Sequence, residues 1–242
     1  MDPWHLILDD ALDGRSNMAI DSALLEEVEQ CEEPRTIVRF YRWSRPTMSL
    51  GRNQKKDSSV DVAFCEAEGM DIVHRPTGGR AVLHDDELTY AVASNDRRYF
   101  GDTIYANYKS VSEALCRGFQ ALGVDAVLAP DTRRDPHPAD APDLPCFMSP
   151  ARYELTAGGR KIVGSAQRRL RRSFLQHGSM PIRGDREKLA RATFMADPAP
   201  LYQEMAGLAD YLPVSPSIAE MSNALIAGFQ ERFDISFLRR VD

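Results

Sequence analysis

Arg75, Thr77, Gly78, Gly79, Arg80 and His84 lie within one ten-residue span, in the stretch HRPTGGRAVLHDD. Consecutive glycines remove two Cβ atoms at a turn, permitting positive φ and letting a ligand lie against main-chain N–H groups. Arg75 and Arg80 flank that turn with cations, Thr77 adds a hydroxyl, and His84-Asp85-Asp86 follow directly. A bare Gly-Gly is ordinarily just a hairpin turn. Basic residues on both sides, with a His-Asp pair close behind, point to a site instead.

Two residues farther along carry complementary chemistry. Cys146 ends a segment punctuated by Pro130, Pro136, Pro138, Pro142 and Pro145, which reads as a flexible surface loop. Its sulfur is therefore presentable to solvent, whereas Cys31, Cys65 and Cys116 fall in or beside helical patterns. The reactive species is the thiolate, which a neighbouring cation favours. Lys161, or an N–H of the glycine loop, suits that role and suits an oxygen becoming tetrahedral at a thioester. Together these groups fit acyl transfer through a covalent cysteine. Spacing alone does not bring the three pieces together; a spectator cysteine and a solvent-facing strand lysine are the plain alternatives.

Several elements must position them. Ser16 is placed to cap a helix over 16–30, with Ile20, Leu24 and Val28 at i, i+4, i+8. Runs 36–41 and 47–51 read as strands joined by a Trp-Ser-Arg-Pro turn, and 57–69 as a helix closed by glycine. Ile72-Val73 leads into the glycine loop, and 88–92 leaves it as a strand. A helix over 104–122 carries the apolar stripe Ile104, Tyr108, Val111, Leu115, Phe119 and Leu122. Next come a strand over 124–128, a hairpin of 151–157 with 160–168 about Gly158-Gly159, and a strand over 173–182. Helices are expected over 185–194, 200–208 and 216–233, the last capped by Ser215, before a short strand at 234–238. Strands and helices mix without regular βαβ alternation. That pattern predicts one α+β domain over 1–242, with a mixed or mostly antiparallel sheet flanked by helices.

Composition narrows the function. With 242 residues, 43% hydrophobic and 27% charged, the chain reads as an ordinary globular protein. It has no apolar run near the roughly 18 residues of a membrane helix. Its start, MDPWHLILDD, lacks secretory features, so a cytoplasmic location is expected. The four cysteines stand 30 or more residues apart without a CxxC pair, which argues against zinc or a disulfide framework. A net charge of −6 argues against general nucleic-acid binding.

The segment HRPTGGRAVLHDDELTYAV resembles the glycine-loop signature of the lipoate/biotin protein ligase superfamily, most closely its cysteine-dependent octanoyltransferase branch. CFMSPARYEL, GRKIVGSAQRR and FLQHGSM follow in the order of that branch, and NMAIDSALLE and IVRFYRWSRPTMSLGRNQ match upstream. The resemblance covers about residues 4–182, with a weaker helical match beyond. It implies that Arg75, Thr77, Gly78, Gly79 and His84 line an acyl site. Lys161 would contact the acyl carbonyl and Cys146 would be the nucleophile. The implied reaction moves an octanoyl group from acyl carrier protein to Cys146, and then to a lysine of a lipoyl domain. Acceptors would be glycine cleavage H protein or the E2 of 2-oxoacid dehydrogenases, with no ATP or metal cofactor. Lys161 ranks ahead of His84 as the base for the acceptor lysine.

Departures from the ATP-dependent ligases support this branch. Arg80 replaces their third glycine, Asp86-Glu87 their Gly-Asn, and little length remains for an accessory domain. His74 stands where arginine is commoner. Because carrier proteins and lipoyl domains are generally acidic, Arg168, Arg169, Arg171 and Arg172, with Arg133 and Arg134, are candidates for docking; a solvated hairpin tip is the alternative. Rival readings are an ATP-dependent lipoate ligase, an amidotransferase between lipoyl domains, and a non-catalytic carrier-binding protein. Arg80 reads equally as a substrate contact or as a strut for Asp85 or Asp86.

Overall fold

Strands β2 (Thr36–Trp43) and β6 (Glu87–Ser94) read as near-continuous apolar runs because both of their faces are covered. Alternate residues serve opposite layers. Val38, Phe40, Leu88, Tyr90 and Val92 pack into one core, which also holds Val111, Leu115, Phe119, Leu225 and Phe229. Ile37, Tyr41, Ala91 and Ala93 pack into a second, with Met18, Leu24, Leu25 and Val28. The computed structural model describes residues 3–129 and 153–240.

These strands lie at the middle of a six-stranded sheet. Its order is β10 (Gly164–Arg169), β11 (Phe174–Pro181), β6, β2, β1 (Trp4–Leu12) and β12 (Phe237–Arg239). The pairs β10/β11, β11/β6 and β6/β2 are antiparallel, whereas β2/β1 and β1/β12 are parallel. The α+β architecture with a mixed sheet therefore stands as expected. Helix α1 (Gly14–Gln30) covers one face, and α4 (Ile104–Ala121) with α7 (Ile218–Phe233) covers the other.

A smaller sheet carries the glycine loop. In it β3 (Thr47–Leu50) is flanked by β4 (Asp71–His74), parallel, and β5 (Val82–His84), antiparallel. Its own core joins Met48, Leu50 and Val82 to Cys65 of α3 (Val62–Ala67), Leu189 of α5 (Arg186–Ala192) and Leu201 of α6 (Ala199–Glu204). A third antiparallel sheet contains β7 (Ala126–Leu128), β8 (Leu155–Ala157) and β9 (Arg160–Lys161).

Several local expectations are corrected. Strands β2 and β3 do not pair as a hairpin; they belong to different sheets. Helix α1 begins earlier than expected, capped by Asp13, whose Oδ1 accepts from the N–H groups of Arg15 and Ser16 at 2.9 and 3.0 Å. Ser16 instead donates its hydroxyl to Asp13. The helix expected over 57–69 is two short ones, α2 (Lys56–Ser59) and α3, because Asp61 caps a fresh start at Phe64 N. Helix α7 is capped by Ser217 in a reciprocal pair with Glu220, not by Ser215. Ile104 lies half exposed at the first turn of α4, outside the buried stripe. The 160–168 arm divides between β9 and β10, in separate sheets. Strand β1 carries no clear strand signal, because its apolar and acidic residues do not alternate cleanly.

Glycines let α4 and α7 approach backbone to backbone. A Cβ at Gly228 would stand 2.4 Å from the Ala114 carbonyl oxygen, and one at Gly118 2.8 Å from Leu225 Cα. Gly228→Ala must push the helices apart, and overpacking of this kind costs about 1–3 kcal/mol. Urea denaturation should show a lower midpoint at unchanged slope.

Candidate active site

The six-stranded sheet and the small sheet that carries the glycine loop meet along a partly open cleft. Ser49, Arg75, Val82 and His84 come to it from the small sheet and its loop. Trp43 and Thr89, with segments 164–166 and 177–179, face them from the large sheet, and Met18 closes one side from α1. Gly178 allows this: a Cβ there would lie 2.7 Å from both Ser165 Oγ and Tyr90 Cε1.

His84 is held on three sides. Its Nδ1 donates to Glu87 Oε1 at 2.8 Å, its Nε2 faces the Ser49 hydroxyl at 2.8 Å, and Trp43 stacks on its ring at 4.1 Å. Glu87 also accepts from the hydroxyls of Thr89 and Ser179. A buried carboxylate with three donors fixes the imidazole's direction.

Thr77 sits in a second relay behind the cleft. It is fully buried, and its Oγ1 meets His177 Nε2 at 2.7 Å; His177 Nδ1 donates to Asp21 Oδ2 at 2.7 Å. Asp21 further accepts from Tyr41 and Arg39, both at 2.9 Å. Burial opposes its charge, but the His177 hydrogen bond, with the charges of His177 and Arg39, more than offsets this. Asp21 is thereby held below the ordinary carboxylate range, while burial and Asp21 push the Tyr41 hydroxyl well up.

Arg75 ties the glycine loop together. Its guanidinium donates to Ser49 O at 2.8 Å, Gly78 O at 2.9 Å and Arg80 O at 2.6 Å. Of the two glycines only Gly79 has positive φ, at 96°. Gly78 needs no such freedom, and the direction its Cβ would take is open space. Gly51 presses on the loop from the next strand end, where a Cβ would lie 2.0 Å from Gly79 O.

Arg75 and His84 thus line the cleft, Thr77 braces it through His177, and Gly78 and Gly79 form the loop beside it. Lys161 is not among the described residues lining the cleft; it is buried on β9, where its Nζ donates to Glu154 Oε1 at 2.5 Å. Only Ile162 and Val163 separate it from the cleft wall at Gly164. Cys146, Arg133 and Arg134 lie outside the described residues. The four arginines proposed for docking diverge: Arg168 reaches Pro76 O at 3.4 Å, Arg169 reaches Asp102 O, Arg172 is tied to Glu29, and Arg171 is exposed. Reasoning from sequence gave no role to Asp21, Ser49, Gly51, Glu87 or His177. The segment FLQHGSM did signal the last of these, since i, i+2 spacing puts His177 and Ser179 on one face of β11.

A glycine loop on a small sheet thus faces a larger mixed sheet across a cleft. Residues 13–230 match the lipoyl protein ligase A/B catalytic domain, and the chain belongs to that family. Octanoyltransferase LipM of Carboxydothermus hydrogenoformans is 38% identical, across 99% of this chain and 90% of its own length. Octanoyltransferase LipM of Moorella thermoacetica is 35% identical, across 97% and 88%. A crystal structure of lipoate-protein ligase A bound with ATP superposes with a TM-score of 0.80 at 27% identity, covering 99% of this chain and 89% of that one.

Proposed function

We propose that this protein is an octanoyltransferase, as the names of its relatives indicate, and that its acceptor is a lysine of a lipoyl domain. The 38% identity to an octanoyltransferase over nearly the whole of both chains carries this reading. The donor is octanoyl-acyl carrier protein. Cys146 attacks its thioester, the carbonyl oxygen gains charge, and the pantetheine thiol leaves with a proton. The acceptor amine then attacks the Cys146 thioester, loses a proton and departs as an amide, which regenerates the thiol. Thioester exchange is near neutral and amide formation runs downhill, so neither step requires ATP.

The site supports this division of labour. N–H groups at Gly78 and Gly79 suit the developing oxyanion. An amine with a reference pKa near 10.4 is neutral in only about one molecule in 2,000 to 3,000 at pH 7, so a base is needed. His84, on the cleft wall and oriented by Glu87, is better placed for this in the described structure than Lys161, which is engaged by Glu154. Lys161 keeps the carbonyl contact that the family resemblance gives it. No metal or nucleotide enters either step.

The test is to mix the protein with octanoyl-acyl carrier protein and a lipoyl domain, without ATP, and follow the mass of the domain. Addition of one octanoyl group supports the reading; transfer only when ATP and free octanoate are supplied replaces it. That second reading, ATP-dependent ligation, draws on the similarity to the ATP-bound ligase structure.

Loop position should matter more to rate than to folding. Gly51→Ala drives a methyl group into the Gly79 carbonyl and displaces the N–H groups beside the cleft. A misplacement of about 1 Å costs on the order of 100-fold in rate. Turnover should fall by about that factor, with octanoyl-enzyme formation slowed in single-turnover mixing.

A further inference from the structure

Arg80 holds a guanidinium that the fold leaves incomplete. Its Nη1 is buried and has no hydrogen-bond partner. The two carboxylates nearest in sequence are engaged elsewhere: Asp85 accepts from Lys188 at 3.0 Å, and Asp86 pairs with Arg183 at 3.1 Å. Arg80 is therefore not their strut. Guanidinium stays charged throughout the physiological range, and a desolvated charged donor without an acceptor is unfavourable. Arg80 is partly exposed, and an arriving anion would supply the acceptor that its buried Nη1 lacks.

The loop fixes where that anion would come. Arg80 follows Gly79 directly, and Arg75 pins its carbonyl at 2.6 Å, so its backbone is anchored to the cleft wall. The Arg168 guanidinium reaches Pro76 O at 3.4 Å, so a further cation borders the same loop. Reacting thioesters are uncharged. The nearest anion on the proposed donor is the phosphodiester at the far end of its pantetheine arm.

We propose that Arg80 binds that phosphate, selecting acyl donors carried on phosphopantetheine; this rests on the thioester-donor reading above. A planar fork of donors matches phosphate oxygens. The same chemistry would suit a nucleotide phosphate, and the test separates the two sources.

Octanoyl-pantetheine and octanoyl-4′-phosphopantetheine are compared as donors, beside octanoyl-acyl carrier protein, in the parent protein, Arg80→Gln and Arg80→Lys. The parent should prefer the phosphorylated small thioester by about 10- to 100-fold in kcat/KM. Arg80→Gln should collapse that ratio towards one, and Arg80→Lys should keep part of it. A purely structural role for Arg80 would slow both donors alike and leave the ratio intact, which overturns the proposal. So does a parent indifferent to the phosphate while still taking octanoyl from the carrier protein. Octanoyl transfer from none of the three donors rejects the thioester reading itself, and Arg80's role with it. ATP-dependent use of octanoate that Arg80→Gln abolishes assigns the arginine to a nucleotide and also overturns the proposal.

Discussion

If Cys146 is the nucleophile proposed above, replacing it by serine should remove the octanoyl-enzyme and lower octanoyl transfer by on the order of a thousandfold or more. The other cysteines are poor substitutes. Burial pushes the Cys65 thiol up to about 11, and it raises that of Cys116, whose Sγ donates to Ala126 O at 3.2 Å. Cys31 ends α1, far from the glycine loop in sequence. Intact mass after mixing with octanoyl-acyl carrier protein should show one adduct on the parent, released by hydroxylamine, and none on Cys146→Ser. Cys31→Ser should keep the adduct. An adduct that persists on Cys146→Ser would falsify the assignment of the nucleophile. Carrier binding by both proteins with an adduct on neither points to a non-catalytic role.

Arg39→Met should be the most destabilising of the substitutions considered. Arg39 is wholly buried in β2, bonded to Asp9 at 2.6 Å, Asp21 at 2.9 Å and Asn17 Oδ1 at 2.8 Å. Methionine fills similar volume but leaves Asp21 a buried charge without its cation, a change that costs about 3–5 kcal/mol. For a chain of this size that lowers Tm by roughly 6–20 °C. The pH dependence follows from Asp21. Its folded-state ionisation lies below the ordinary value of 3.8, so its contribution is complete above that value and lost as pH falls through the lower folded range. Methionine removes part of that depression. The stability gap between parent and variant should therefore stay constant from pH 7 to about 5 and narrow as the pH falls below the ordinary value of 3.8. A gap in urea melts that does not change below that value would remove Asp21 as the cause.

Local signals were legible where neighbours in sequence are neighbours in space. Gly78-Gly79 and His84 announced a loop and its flank, and both belong to one small sheet. Periodicity placed α4, whose apolar residues need only one face. The relay through Thr77 was hidden, because its partner His177 is 100 residues away. Arg39 was equally silent: within Thr36-Ile-Val-Arg-Phe-Tyr it looks like the polar member of a strand, and only the fold shows Asp21 beneath it. Turn chemistry misled at Trp43-Ser44-Arg45-Pro46, where a short connection suggested a hairpin. The chain crosses between sheets there, and Ser44 N donates back to Leu12 O at 2.9 Å.

Strand β12 completes the large sheet by pairing Phe237 with Trp4, almost the longest separation the sequence allows. Until that contact forms, β1 presents an open row of amides with Leu6 and Leu8 beside it, a template for another chain during synthesis. Because non-local pairings close slowly, this seam should be among the last parts of the protein to acquire slow hydrogen exchange. Arg240 secures it once formed: its N–H donates to Leu6 O at 2.8 Å, and its guanidinium grips Glu27 of α1. One cation thus seals the edge on which newly made chains would otherwise pair with each other.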